Sequence, residues 1–178
     1  MTVVMPVISW GRVSEDREFR KPERATDHAA AHDLYLPETI AISPGETLKV
    51  PLNLVCRMPI NFRAKINVRS GVGTKYNVVL ANGTGIVDSD YYDEWCLFLH
   101  KPLLNNDESA DPDNRKKSHY YDGGFHFEFK QGERIAQVCF EEVPEYREDP
   151  NIYTAQEIKD MVLARGSTRR GGFGSTGK

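Results

Sequence analysis

The residues of this chain best suited to chemistry are a few carboxylates, an arginine with a hydroxyl beside it, and an aromatic ring. Asp88, in Gly85-Ile86-Val87-Asp88-Ser89-Asp90-Tyr91, follows an apolar strand end. A carboxylate there is expected to be partly buried and held in one geometry, as a base or water-orienting group requires. Tyr91, three positions on, offers a ring face to a sugar or a base. Taken alone, the segment reads more simply as an acidic turn. Arg69-Ser70-Gly71 suits phosphate: the guanidinium gives two parallel hydrogen bonds, the serine adds a hydroxyl, and the glycine allows a sharp turn. Asp33, in Ala29-Ala30-Ala31-His32-Asp33-Leu34, reads as a carboxylate near a metal's water shell or as a turn aspartate.

Other patterns fail on context. Gly172-Phe173-Gly174-Ser175-Thr176-Gly177-Lys178 fits the opening of a phosphate-cradling P-loop, without the strand before it or the hydroxyl residue and helix after it. His126-Phe127-Glu128 is half of a zinc deaminase signature whose P-C-x-x-C half is missing. Asp107, Glu108, Asp111 and Asp113 lack the spacing and central glycine of a calcium loop. Cys56, Cys96 and Cys139 form no C-x-x-C pair, which disfavours a disulfide framework or zinc ribbon and makes each a core thiol.

Strands must carry these residues. Phe62, Ala64, Ile66 and Val68 alternate with Arg63, Lys65, Asn67 and Arg69, and Phe125, Phe127 and Phe129 alternate in the same way with His126, Glu128 and Lys130. Turns are predicted at Ser43-Pro44-Gly45, at Gln131-Gly132, and at Asn82-Gly83-Thr84-Gly85 in a hairpin over 76–87. Many short strands joined by Gly and Pro turns predict an all-β sandwich or jelly roll. One helix is predicted, where Thr154 and Glu157 form a capping box and Ile158, Met161 and Val162 share a face. Residues 101–122 read as a polar insertion. The glycine-rich end with Arg165, Arg169, Arg170 and Lys178 reads either as a frayed terminus or as a flexible arm able to close over a polyphosphate.

With 178 residues, the chain is expected to form a single β domain over 1–164 followed by an arm over 165–178. A net charge of -3 argues against nucleic acid as the default partner. No apolar run of about 18 residues predicts a membrane span, and the first ten residues do not read as a signal peptide, so the expected compartment is the cytoplasm.

In order along the chain stand A-A-A-H-D-L at 29–34, R-S-G at 69–71, N-G-T-G-I-V-D-S-D-Y at 82–91, G-E-R-I-A-Q at 132–137 and G-G-F-G-S-T-G at 171–177. Their order and identity resemble the trimeric dUTPases, the deoxyuridine triphosphate nucleotidohydrolases, over nearly the whole chain. The resemblance implies a jelly-roll-like homotrimer with shared active sites, hydrolysing dUTP to dUMP and pyrophosphate with Mg2+. By position it makes Asp88 the residue that activates the attacking water and binds the 3′-hydroxyl. It sets Tyr91 beneath the deoxyribose, and Asn82 with backbone of the hairpin, including Gly85 and Val87, at the uracil edge. Arg69, Ser70, Gly71 and Gln137 are then phosphate contacts, and Asp33 acts on the water shell of magnesium. Of the arm, Phe173 stacks on uracil with Gly174 beside it, Ser175 and Thr176 contact the outer phosphates, and Arg169 and Arg170 are candidates for the γ-phosphate, as is Arg165. Ala31 stands where the family usually has glycine, Tyr92-Asp93-Glu94 departs from the usual basic or polar residue and glycine, and three residues separate Arg165-Gly166-Ser167 from Gly171. The long 101–122 insertion is reminiscent of phage members of the family and offers a surface for a regulatory protein partner. The related dCTP deaminases are a third reading, disfavoured because Asp88 and Tyr91 are kept.

Overall fold

The computed structural model describes residues 5–103, 118–121 and 124–165. Thirteen strands are present: β1 (Ser9–Arg12), β2 (Glu23–Arg24), β3 (His32–Tyr35), β4 (Ile40–Ile42), β5 (Thr47–Pro51), β6 (Leu54–Arg57), β7 (Phe62–Val68), β8 (Val79–Leu80), β9 (Gly85–Val87), β10 (Cys96–His100), β11 (Ser118–Tyr121), β12 (Gly124–Phe129) and β13 (Arg134–Glu142). Helices α1 (Ser70–Tyr76) and α2 (Ala155–Ala164) complete the described residues. No helix among them is long and apolar enough to cross a membrane. The chain divides into two compact units, 1–144 and 145–178.

In the first unit the strands form a five-stranded sheet in the order β2-β3-β13-β7-β9, two three-stranded sheets, β5-β10-β8 and β11-β12-β4, and the pair β1-β6. All pairings are antiparallel. The alternation in β7 is realised as expected: Ala64 and Ile66 are buried, while Phe62 and Val68 pack against the core from its margin. Phe127 and Phe129 of β12 are likewise buried. They join Leu34, Val50, Leu97, Leu99 and Val138 from the other sheets in one apolar cluster. This burial of side chains from facing sheets is the main source of stability in a jelly-roll-like fold.

Two expectations about local structure are corrected. A second helix, α1, starts directly after Arg69 although Gly71 and Gly73 weaken its intrinsic propensity. It is held by the burial of Val72 and closed by Asn77, whose left-handed φ of 52° lets its N–H donate to Gly73 O at 3.1 Å. The predicted hairpin over 76–87 does not form as a paired ladder: β8 pairs with β10, whereas β9 pairs with β7. Residues 81–84 therefore carry the chain between two sheets. Gly83 N donates to Leu80 O at 2.9 Å and Thr84 N to Asn82 O at 2.8 Å, a tight reversal that places Gly83 at φ 72°, where a side chain would be strained.

In the second unit, α2 carries the predicted capping box. Thr154 Oγ1 accepts from Glu157 N at 3.3 Å, and Glu157 Oε2 accepts from Thr154 N at 2.7 Å. The helix buries none of its residues, so Ile158, Met161 and Val162 share an exposed face. Arg169, Arg170, Phe173, Gly174, Ser175 and Thr176, and most of the 101–122 segment, lie outside the described residues.

Candidate active site

Strand β7 is the common support. Its inner side packs Ile66 against Gly85 of β9, at the paired position. A Cβ on Gly85 would stand 3.3 Å from Ile66 Cβ, so glycine lets β9 lie this close without displacing its neighbour. That approach delivers Val87 and then Asp88 to the sheet edge. Beyond Asp88 the chain turns, with Tyr91 N donating to Asp88 O at 3.2 Å, and rejoins the body at Trp95, whose N–H donates to Leu54 O at 2.8 Å.

Between this edge and the outer face of β10 lies a cavity of about 380 Å3, lined in part by Asn82, Gly85, Val87, Asp88 and Tyr91. Five of the sequence-predicted residues thus meet in one place. The volume falls within the range of small-molecule sites, roughly 300–1,000 Å3. Lys49 of β5, Trp95, and Cys96 and Phe98 of β10 also line it, and sequence reasoning did not single them out. Lys49 sits opposite Phe98, and Pro51 opposite Cys96, in the β5–β10 register. Only that pairing, between residues nearly fifty positions apart, brings them to the site.

Asp88 departs from expectation in one respect: it is exposed, as is Tyr91 at 44%. The strand end holds the backbone of Asp88 but leaves its carboxylate at the open mouth of the cavity. The cysteines differ too. Cys56 is buried, and burial pushes its thiol up to about 12, while Cys96 and Cys139 are only partly buried, so the core reading holds for the first alone.

A second group of predicted residues lies on the outer face of the five-stranded sheet. Gln137 is paired across β13 with Asp33 on one side and Asn67 on the other, which makes a polar row. Asp33 is almost fully buried, and its two oxygens face two guanidinium groups, Arg69 Nε at 2.9 Å and Arg134 Nη1 at 3.1 Å. Arg134 was not expected, although it lies in the same short motif as Gln137. Ser70 and Gly71 open α1, where no acidic residue stands in the first turn and no side chain caps the helix. A Cβ on Gly71 would meet nothing within 4 Å, so the space beside this helix start is open. None of Asp33, Arg69, Ser70, Gly71 and Gln137 lines the cavity around Asp88. The row does touch it indirectly, because Thr84 Oγ1 donates to Asn67 Oδ1 at 3.2 Å. No group of three or more His, Cys, Asp or Glu that could hold a metal ion is present among the described residues.

The arrangement can bind an anion on one surface and a flat, partly apolar group in a pocket, with a carboxylate at the pocket's mouth. Comparison with known proteins gives this a family. Residues 17–99 match the dUTPase family model. A deoxyuridine 5'-triphosphate nucleotidohydrolase of Desulfitobacterium hafniense is 33% identical over 168 residues, covering 93% of this chain and 92% of its own. The enzyme of the same name from Wolbachia pipientis subsp. Culex pipiens is 28% identical over 169 residues, covering 94% and 93%. Among solved structures, the dUTPase of Staphylococcus bacteriophage 80alpha with dUPNHPP matches with a TM-score of 0.67 at 20% identity, over 97% of this chain and 99% of that one. A mutant dUTPase from phage phi11 of S. aureus, described with a structural Mg(II) ion, matches with a TM-score of 0.64 at 18% identity, over 82% and 97%. The fold is thus that of the phage dUTPases, and the near full-length likeness to nucleotidohydrolases agrees with the motifs gathered at the cavity: the chain belongs to the dUTPase family and is a dUTP diphosphatase.

Proposed function

We propose that dUTP is cleaved by in-line attack of water on the α-phosphorus, with Asp88 orienting that water and drawing off its proton, to leave dUMP and pyrophosphate. The observation that carries this reading is the cavity that gathers Asn82, Gly85, Val87, Asp88 and Tyr91 at one sheet edge. Uracil enters it, read by Asn82 and by backbone groups at Gly85 and Val87, and the deoxyribose rests on the ring of Tyr91. Asp88 binds the 3′-hydroxyl as it positions the water. Phosphoanhydride hydrolysis asks little covalent chemistry of the protein, so positioning and charge neutralisation supply most of the rate.

Arg69, Ser70, Gly71 and Gln137 serve as the phosphate contacts in this account, with Arg69 held in place by Asp33. A carboxylate has about four acceptor sites, so two guanidinium contacts leave Asp33 acceptors for metal-bound water. Asp33 would in this reading act on the water shell of a magnesium ion that enters with the nucleotide. When bound, the ion supplies charge neutralisation along the triphosphate.

Because the phosphate contacts do not line the cavity of their own chain, we read each complete site as shared between copies in a homotrimer. Phe173, Gly174, Ser175 and Thr176 of the arm, with Arg169 or Arg170, then close it, as the resemblance implies. Closure would exclude bulk water from the exposed Asp88. Removing dUTP in this way would keep uracil out of DNA, and the dUMP formed would supply dTTP synthesis. The test is pyrophosphate release from dUTP, dTTP, dCTP and UTP in parallel, with magnesium. Release confined to dUTP is expected; equal release from UTP would contradict the role of Tyr91, and ammonia release from dCTP would point to a deaminase.

A further inference from the structure

Glu94 lies outside the residues assigned to the site, yet it ends the turn that carries Asp88 and Tyr91. Its carboxylate reaches inward. Glu94 Oε1 accepts from Asn53 N at 2.7 Å and from Arg17 Nη1 at 2.8 Å. Asn53 is fully buried and adopts a left-handed φ of 53°. That conformation is uncommon for a residue other than glycine and persists where surroundings hold it.

The surroundings here are the segment 13–18. Asn53 Oδ1 accepts from Val13 N at 3.1 Å and Ser14 N at 2.8 Å, while its Nδ2 lies 3.0 Å from both Ser14 O and Arg17 O and 3.2 Å from Glu18 O. One asparagine thus gathers the backbone of 13–18 on its side chain and presents its own N–H to Glu94. Arg17, part of the gathered segment, meets the same carboxylate oxygen. On the outer side of the turn, Tyr91 Oη donates to Glu94 O at 3.4 Å. The next residue is fixed on both sides, by Trp95 N to Leu54 O at 2.8 Å and Leu52 N to Trp95 O at 2.9 Å.

We propose that Glu94 is a positioning residue: with Arg17 and Asn53 it latches the 88–94 turn to the interior and so sets where Tyr91 stands against the substrate's sugar. This rests on the role of Tyr91 given above. The turn leaves β9 after Val87 and has no ladder partner before β10; Ser89 Oγ, donating to Ile60 O at 3.0 Å, ties its start, and the latch ties the part from Tyr91 to Glu94. Arg17 makes the latch electrostatically tolerable. The Glu94 side chain is only 23% exposed, and a carboxylate withdrawn from water needs a cation or several N–H donors.

The experiment compares Glu94→Ala, Glu94→Gln and Arg17→Met with the unsubstituted chain. It reads kcat and KM for dUTP and UTP, and amide hydrogen exchange over 13–18 and 89–94. In Glu94→Ala, KM for dUTP rises about tenfold with kcat within about threefold, and the preference for dUTP over UTP falls about tenfold. Glu94→Gln keeps an acceptor for Asn53 N–H and recovers most of the preference. Exchange rises in both segments together in Glu94→Ala and in Arg17→Met, which carries the same comparison if Glu94→Ala does not fold. A preference for dUTP unchanged in folded variants overturns the proposal, as does faster exchange in 13–18 alone. An unsubstituted chain that turns over no dUTP would sink the reading of the site instead, and the joint rise in exchange, which needs no turnover, would still decide whether the latch exists.

Discussion

Asp33 Oδ1 lies 2.9 Å from Arg69 Nε while Oδ2 accepts from Arg134 Nη1 at 3.1 Å, so one nearly buried carboxylate aims two guanidinium groups. The arginines are more exposed than their partner, with side chains 33% and 46% accessible. Asp33→Asn keeps the shape but removes the charge. It should cost roughly 1–2 kcal/mol of stability, less than a fully buried pair because solvent screens the arginines. Urea unfolding measures this. The same variant should raise KM for dUTP severalfold more than it lowers kcat, since the loosened Arg69 is a binding group in both ground and transition states.

Gly85→Ala presses a methyl group against Ile66, which is only 3% exposed and cannot swing away. Overpacking of this kind costs about 1–3 kcal/mol. The strain falls on β9, so the expected result is a lowered unfolding midpoint together with weaker dUTP binding. A stability loss without any change in KM would mean that β9 does not shape the pocket.

How far the sequence carries can be judged from the same residues. Period-two alternation identified β7 and β12, and Thr154 with Glu157 identified α2, because each signal is local. Helix α1 was not legible, since Ser70-Gly71-Val72-Gly73 opposes a helix by propensity and yields only to the burial of Val72. Asn82-Gly83 resembles a hairpin turn, and nothing local tells that β8 will leave for β10 while β9 stays with β7. Five of the residues read from motifs meet at the cavity, but Lys49 and Phe98 reach it only through β5–β10 pairing. The exposure of Asp88 likewise depends on what surrounds the strand end in space.

The capping box of α2 gives a pH dependence with a definite sign. Glu157 is held below the usual carboxylate range, first by the Thr154 N–H and then by the Thr154 hydroxyl. A depressed folded value means that the stabilisation is present above the unfolded carboxylate value and is lost as pH falls through the lower folded one. Amide exchange over 155–164, corrected for its intrinsic pH dependence, should therefore show protection falling below about pH 4.5. Thr154→Ala should weaken that protection at neutral pH, by about 1 kcal/mol for loss of the cap.

Chelation separates a metal that travels with substrate from one that holds the protein together. The described residues contain no cluster able to hold an ion alone. EDTA should abolish pyrophosphate release while leaving the thermal unfolding midpoint within about a degree, because a metal that binds only with nucleotide adds nothing to the stability of the free protein. A fall of several degrees would instead indicate a structural ion of the kind described for the phage phi11 enzyme.

The central claim is that Asp88, at the mouth of the cavity it shares with Tyr91 and Asn82, activates the attacking water. Steady-state hydrolysis of dUTP by Asp88→Asn tests it most directly, because the amide fills the same space but cannot take a proton. The account predicts a fall in kcat of about 10²–10⁴, with KM for dUTP changed no more than a few fold. A variant that keeps kcat within about threefold of the unsubstituted enzyme would contradict it and would move the base to another group.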